Sequence, residues 1–339
     1  MQTIVNNVNI TGLSAAIPDN KISIKNHCKQ MNLKLDNNII RASNMLGVKS
    51  NYISSKNQTT ADLCYVAANK LLNEINWDTS SVDILIFVSQ TPDYLMPSTS
   101  CILQDKLKLK KTTAVFDINL GCSGYVYGLW VCSSILENSN AKRALLLVGD
   151  TISKTVGNRD ISNKILFGDA GTATALEYTK KKNPIFFSLG TDGSGEKDLY
   201  IPNSGFRQNI KNKFLIMNGS NVFSFVFKEI PKSIKELLIW SKFKIKDIDY
   251  FVFHQANRFM LKKVFDKIEI PYEKTLIKME QFGNTSSATI PLTIVAENKK
   301  ILMRKKNRFL LSGFGAGFSW ASACLELNQI KILDLIKIK

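Results

Sequence analysis

The chain repeats itself, and the repetition restricts the folds open to it. In the first half, Val82-Asp83-Ile84-Leu85-Ile86-Phe87 reads as a buried strand, preceded by a helix over about 61–75 and by Trp77. In the second, Ile248-Asp249-Tyr250-Phe251-Val252-Phe253 follows a helix over about 222–239 and Trp240. Both strands run into polar residues, Ser89-Gln90-Thr91 and His254-Gln255-Ala256. Arg143-Ala144-Leu145-Leu146-Leu147-Val148-Gly149 then matches Arg308-Phe309-Leu310-Leu311-Ser312-Gly313. Asp83 to Asp249 is an offset of 166 residues and Arg143 to Arg308 one of 165, so the register holds over a long span. Phe167-Gly168-Asp169-Ala170-Gly171 leads into the apolar residues 172–176, as Phe314-Gly315-Ala316-Gly317 leads into 318–325. Strands alternating with helices predict an α/β layered fold. Two copies related by a pseudo-twofold axis would stack two sheets around shared central helices, one half over residues 1–178 and the other over 179–339.

Length and composition agree with this. A chain of 339 residues can bury a large core, and 45% hydrophobic content with a mean hydropathy of −0.04 fits a globular protein. No apolar run approaches the roughly 18 residues of a membrane span, and the N-terminus lacks the features of a signal peptide. The six cysteines, at 28, 64, 101, 122, 132 and 324, show no CxxC pair and no metal-ligand spacing, which predicts a reduced cytoplasmic enzyme without a metal. The formal charge of +17 is spread along the chain, with no zinc-finger, RRM or basic-arm pattern to suggest nucleic acid. An acidic protein partner or a general lysine-, asparagine- and isoleucine-rich bias accounts for it.

Three strand-to-helix turns carry chemistry. Cys122 lies in Asn119-Leu120-Gly121-Cys122-Ser123-Gly124, between an apolar strand at 113–118 and an apolar helix at 125–136. A thiol there feels the positive end of the helix dipole, which is expected to lower its pKa and strengthen it as a nucleophile. His254, one of only two histidines, follows the second-half strand in His254-Gln255-Ala256-Asn257. Asn284 stands in Gly283-Asn284-Thr285-Ser286-Ser287, and the duplication places its turn opposite that of Cys122. Cysteine, histidine and asparagine together are the parts of an acyl-transfer site. The other histidine, in His27-Cys28, sits in a polar, lysine-rich segment and reads as surface rather than as a dyad. Phe167-Gly168-Asp169 reads as structural, with glycine for close approach and aspartate for a turn hydrogen bond.

With these turns and the glycine-rich Phe314-Gly315-Ala316-Gly317-Phe318-Ser319-Trp320, residues 3 to 327 resemble the thiolase superfamily, and within it ketoacyl-[acyl-carrier-protein] synthase III. The resemblance implies a thiolase-like fold of duplicated αβαβα layers and a homodimer. It also implies that Cys122 takes an acyl group from a thioester and that malonyl-carrier protein then undergoes a decarboxylative condensation. His254 and Asn284 would donate to the malonyl thioester oxygen, and His254 would be neutral with Nε2 protonated. Backbone N–H groups of Cys122 and Ala316 would form the oxyanion hole. The family usually has glycine where Ala316 stands, so the hole survives if that position has an ordinary conformation. The substrates would be acyl-CoA or acyl-carrier protein and malonyl-carrier protein, with no further cofactor.

The resemblance also places Met96, in Pro92-Asp93-Tyr94-Leu95-Met96-Pro97-Ser98, at the gate of the partner's acyl pocket across the dimer interface. Asn257, Arg258, Lys262 and Lys263 fall where the family receives the carrier protein or its pantetheine arm; Arg258 and Lys262 share a helix face at i, i+4. The chain departs from the family at the nucleotide site. Arg41 and Met45 stand where tryptophan and arginine are usual, and Ile161 where a second arginine flanks the base. Neither Met45 nor Ile161 can replace a stacked guanidinium, although Arg41 can compensate in part. An acyl-carrier protein as donor, or a specialised pathway making a short acyl group for a surface sugar or secondary metabolite, is therefore expected. The alternative is an acyltransferase that moves an acyl group from Cys122 to an alcohol or amine without decarboxylation.

Overall fold

The computed structural model describes residues 1–207, 213–298, 301 and 306–339. The first half contributes strands β1 (Gln2–Val5), β2 (Val8–Pro18), β3 (Lys21–Ser23), β4 (Ser50–Tyr52), β5 (Ile84–Val88), β6 (Ala114–Ile118), β7 (Arg143–Asp150) and β8 (Ala170–Tyr178). Its helices are α1 (Ile24–Gln30), α2 (Asn37–Leu46), α3 (Thr60–Glu74), α4 (Thr99–Lys106), α5 (Gly124–Glu137) and α6 (Ile161–Leu166). The second half contributes β9 (Ile185–Thr191), β10 (Leu199–Tyr200), β11 (Ile216–Met217), β12 (Tyr250–Phe253), β13 (Lys306–Gly315), β14 (Ser319–Asn328), β15 (Lys331–Ile332) and β16 (Ile336–Ile338). Its helices are α7 (Gly219–Ser241), α8 (Arg258–Ile268), α9 (Met279–Phe282) and α10 (Thr289–Ala296).

The two large sheets repeat one topology. The first runs β15-β2-β8-β7-β5-β6, with β16 also on β2, and the second runs β1-β9-β14-β13-β12. The parallel pairs β5–β7 and β12–β13 correspond, as do the antiparallel runs β2-β8-β7 and β9-β14-β13, and the first sheet adds β6, parallel to β5 and leading to Cys122. The repeated Asp and Arg make the same contacts in both halves: Asp83 accepts from the Arg143 N–H at 3.2 Å, and Asp249 from the Arg308 N–H at 2.8 Å. Arg143 covers Trp77 and Arg308 covers Phe243. The chain ends exchange places, since β1 joins the second sheet while β15 and β16 join the first.

Five layers result. Helices α3 and α4 cover the outer face of the first sheet, α5 and α10 lie between the sheets, and α7 and α8 cover the second. Residues Ala144 to Val148 of β7 are fully buried, as expected for a strand covered on both faces. Helix α5 approaches that sheet through Gly128, where a Cβ would lie 2.7 Å from Leu146. At Gly171 a Cβ would lie 2.5 Å from the backbone nitrogen of Cys64, so β8 and α3 pack backbone to backbone.

One expectation fails here. His27 and Cys28 are buried, at 5% and 2% exposure, because α1 turns Ile24, His27 and Cys28 inward and its lysines outward. They still form no dyad: His27 Nε2 meets Asn51 Oδ1 at 2.8 Å. Gly168 and Asp169 behave as the sequence predicts. A Cβ on Gly168 would strike the Phe282 carbonyl at 2.3 Å, and Asp169 accepts from Ser54 N at 2.8 Å, Ser153 N at 2.9 Å and Ser153 Oγ at 2.6 Å.

Gly171→Ala is expected to lower the unfolding free energy by about 1–3 kcal/mol through overpacking against α3. Gly193→Ala, where nothing lies within 4 Å, is expected to change it by less than about 1 kcal/mol. Urea denaturation of the two variants checks the pair, and equal midpoints would disprove the close packing at Gly171.

Candidate active site

Cys122, His254 and Asn284 come from three separate segments and line one cavity of about 840 Å³. Its walls include Leu46, Ile152, Leu166 and Phe167 on one side and Val222, Val226, Met260 and Phe314 on another. Cys122 precedes α5, with Ser123 as the N-cap residue. The turn is held close to the second half by bare backbone. A Cβ on Gly313 would lie 2.7 Å from the Cys122 carbonyl oxygen, and one on Gly315 would lie 2.8 Å from the thiol sulfur.

The thiol does not behave as its helix position alone suggests. Burial pushes it up to about 12, and the Asp150 carboxylate pushes the same way. The Ser286 hydroxyl and the N–H groups of Cys122 and Ala316 pull it down without winning. The physical reason is one of scale. A helix terminus contributes about 0.3–1 kcal/mol, under one pKa unit, whereas desolvation can shift a group by several units even where, as at Cys122, burial is partial. The lowering expected from the helix terminus is therefore opposed by desolvation, although Cys122 keeps partial exposure at the cavity.

Ala316 keeps an ordinary φ, while Gly317 takes the positive value of 138°. Alanine therefore sits at 316 without strain, with its N–H beside the sulfur. Together with the Cys122 N–H it forms a pair of donors suited to an oxyanion.

His254 ends β12, with its backbone N–H on Ser312 O at 2.8 Å and its ring edge-on to Phe314. Burial holds its pKa down at about 3, so the imidazole is neutral. Its Nδ1 lies 2.8 Å from Thr289 Oγ1, and that hydroxyl also reaches Ser286 O at 3.0 Å. Thr289 Oγ1 can accept from a protonated Nδ1 or donate to an unprotonated one, so this contact suits either neutral tautomer. Asn284 Oδ1 accepts from Ser286 N at 2.9 Å, so Nδ2 is the atom that faces His254 Nε2, at 3.5 Å and the limit of hydrogen-bond reach.

Behind these residues lies Asp150, at the buried end of β7. Its Oδ1 accepts from Ser89 Oγ at 3.0 Å, Gln90 N at 2.7 Å and Thr91 Oγ1 at 3.2 Å. Its Oδ2 accepts from Ser287 N at 3.1 Å and Ser287 Oγ at 2.6 Å. Burial raises this carboxyl above its ordinary range against the pull of those donors. Sequence reading missed Asp150, although an acid directly after a buried strand was a visible signal. It also missed Thr289, which nothing in its own segment marks out.

The outer residues divide. Asn257 lines the cavity and caps α8, accepting from Met260 N at 2.7 Å. Lys262 and Lys263 are exposed on α8. Arg258 is exposed as well but paired with Glu280 at 3.1 Å, which Lys49 also binds at 2.6 Å. Met96 is 87% exposed and does not line this chain's own cavity, although Tyr94 and Leu95 do. Met45 is half exposed and Ile161 packs with Leu166 and Phe167, so no guanidinium stands at either place. Among the described residues no cluster of histidine, cysteine or carboxylate suits a metal ion, and no helix is long and apolar enough to cross a membrane.

Comparison with known proteins adds a family. The profile described as 3-oxoacyl-[acyl-carrier-protein (ACP)] synthase III matches residues 116–193, and its C-terminal counterpart matches 240–327. A beta-ketoacyl-[acyl-carrier-protein] synthase III of Clostridium perfringens is 35% identical over 83% of this chain and 88% of its own. One of Clostridium tetani is 34% identical over 90% of this chain and 94% of its own. The crystal structure of a 3-oxoacyl-(acyl-carrier protein) synthase from Burkholderia xenovorans superposes with a TM-score of 0.95 at 36% identity, covering 100% and 99% of the two chains.

A thiol held near 12 is expected to react with iodoacetamide at a rate that rises log-linearly with pH up to about pH 10. A plateau below pH 8 would show a low-pKa thiol instead. With two histidines in the chain, nitrogen-15 spectra of the imidazoles read each one separately. His254 is expected to be neutral at pH 7 and still uncharged at pH 5.

Proposed function

Because the chain belongs to the 3-oxoacyl-[acyl-carrier-protein] synthase III family of the thiolase superfamily, we propose that it is a decarboxylative condensing enzyme working through Cys122, His254 and Asn284. Members of this family are acyltransferases, and this chain is an enzyme of that type. The observation that carries the reading is the convergence of a half-buried thiol, a neutral imidazole and an amide donor on one cavity.

In the first half-reaction the Cys122 sulfur attacks an acyl thioester while its proton passes to the Nε2 lone pair of His254. Two N–H groups, of Cys122 and Ala316, receive the oxyanion. The old carbon–sulfur bond then breaks, and the proton leaves with the departing thiol. In the second, a malonyl thioester lies with its carbonyl oxygen toward Asn284 Nδ2. Carbon dioxide departs, the bonding pair becomes an enolate on that oxygen, and the enolate carbon attacks the acyl carbon on Cys122. A carbon–carbon bond forms, the Cys122 sulfur leaves as thiolate and takes a proton from solvent to restore the thiol, and a 3-ketoacyl thioester results. The second donor is His254 Nε2–H, which requires the other tautomer. Thr289 supports it by turning its hydroxyl proton from Ser286 O to Nδ1. Electrons stay within the two thioesters, so the reaction as written calls for no cofactor.

The acyl donor in this reading is carried on an acyl-carrier protein, since Met45 and Ile161 offer no charge to a nucleotide. The acidic carrier would meet the exposed face of α8 around Asn257, Arg258, Lys262 and Lys263. The protein would act as a homodimer joined at β6, the terminal strand of its sheet, where Phe116 is 37% exposed. Met96 would then close the partner's pocket.

Intact-mass analysis with a panel of acyl-CoAs and acyl-carrier proteins, followed by malonyl-carrier protein, tests the chemistry. Cys122→Ala is expected to abolish acylation, whereas Asn284→Ala keeps it and slows condensation about 10²–10³-fold. Acylated enzyme that releases its group to an alcohol or amine and never yields a 3-keto product would instead establish simple acyl transfer. Phe116→Lys is expected to give a monomer by light scattering; an unchanged dimer would move the interface elsewhere.

A further inference from the structure

The pair His27 and Asn51 lies outside the cavity lining, yet it is tied to the site through backbone. Asn51, in β4, is fully buried. Its Nδ2 group faces three carbonyls, Phe167 O at 2.6 Å, Lys164 O at 2.8 Å and Ile165 O at 3.2 Å, and shares its two protons among them. Three carbonyls on one side fix which way the amide points, because a flip would set oxygen against oxygen. Oδ1 is therefore the atom at 2.8 Å from His27 Nε2, and the ring donates to it. His27 is 5% exposed, so the contact is shielded from water.

The segment gripped by Asn51 is the one that holds Asn284. The Asn284 N–H donates to Leu166 O at 2.8 Å, and its carbonyl accepts from Gly168 N at 3.1 Å. Phe167 and Asn284 thus form an isolated bridge between the two halves. Asn51 Cβ is also the wall against which both loops close: a Cβ on Gly168 would lie 3.2 Å from it and one on Gly283 3.4 Å. Neither loop can shift toward β4 without meeting Asn51. If the grip on residues 164–167 is lost, three carbonyls lose a buried donor, and the frame holding the Asn284 backbone loosens.

We infer that His27 and Asn51 are positioning residues that hold the Asn284 amide where the malonyl thioester oxygen must lie. The inference rests on the proposed role of Asn284 in the second half-reaction. It separates the two half-reactions, since Cys122 acylation uses the Cys122 and Ala316 N–H groups and not Asn284.

The test uses the full-length protein, with intact mass reading Cys122 acylation and carbon dioxide release reading decarboxylation. Asn51→Asp keeps an acceptor for His27 but turns oxygen toward the three carbonyls. It is expected to cut decarboxylation about tenfold or more while acylation stays within about twofold. His27→Leu, which leaves the Asn51 amide in place, is expected to lose about threefold to tenfold in the same step, and His27→Gln, which can still donate, to recover it. Should Asn51→Asp fail to fold, the His27 pair carries the test, with thermal melting confirming an intact fold. Equal loss in both half-reactions, or no recovery by His27→Gln, would overturn the inference and leave the pair a general scaffold. Asn284→Ala runs alongside. If it leaves decarboxylation intact, the role of Asn284 fails; if it abolishes decarboxylation while the Asn51 and His27 variants do not reduce it, the positioning inference alone fails.

Discussion

The site depends on one buried carboxylate. Asp150 draws together the end of β5, through Ser89, Gln90 and Thr91, and the Ser287 turn from the other half of the chain. Burying an ion is unfavourable unless donors surround it, and five contacts from both halves do so here. That arrangement sets Ser286, Ser287 and Thr289 behind His254 and fixes the turn that carries Asn284. It also places a negative charge near Cys122, which opposes ionisation of the thiol.

Desolvation raises the thiol and lowers the imidazole, to about 12 and about 3, so an ion pair between them is disfavoured. In the proposed reaction the proton would then move during attack rather than before it, and the Thr289 hydroxyl can serve His254 in either neutral tautomer.

Much of this was legible in the sequence, and the limits have physical causes. The strands at 84–88 and 250–253 and the helices at 60–74 and 219–241 showed themselves because buried elements need continuous or periodic apolar residues. Cys122, His254 and Asn284 stood out because each follows such an element in a glycine- or amide-rich turn. His27 was read as surface because its neighbours are polar, and only the packing of α1 shows that one face turns inward. The direction of the thiol pKa shift is not legible in sequence, because a helix terminus shows there whereas desolvation by the surrounding chain does not. Arg258 looked free for a partner; its ion pair with Glu280 joins residues from separate helices.

The sequence by itself determined the duplication, the α/β layering and the three residue types of the site, because register and turn chemistry are local properties. Tertiary structure alone decided the desolvation of the thiol and the imidazole, the exchange of the chain ends between sheets, and the grip of Asn51 on the Asn284 frame. Those depend on which groups meet across more than a hundred residues, and on how much water is excluded when they do.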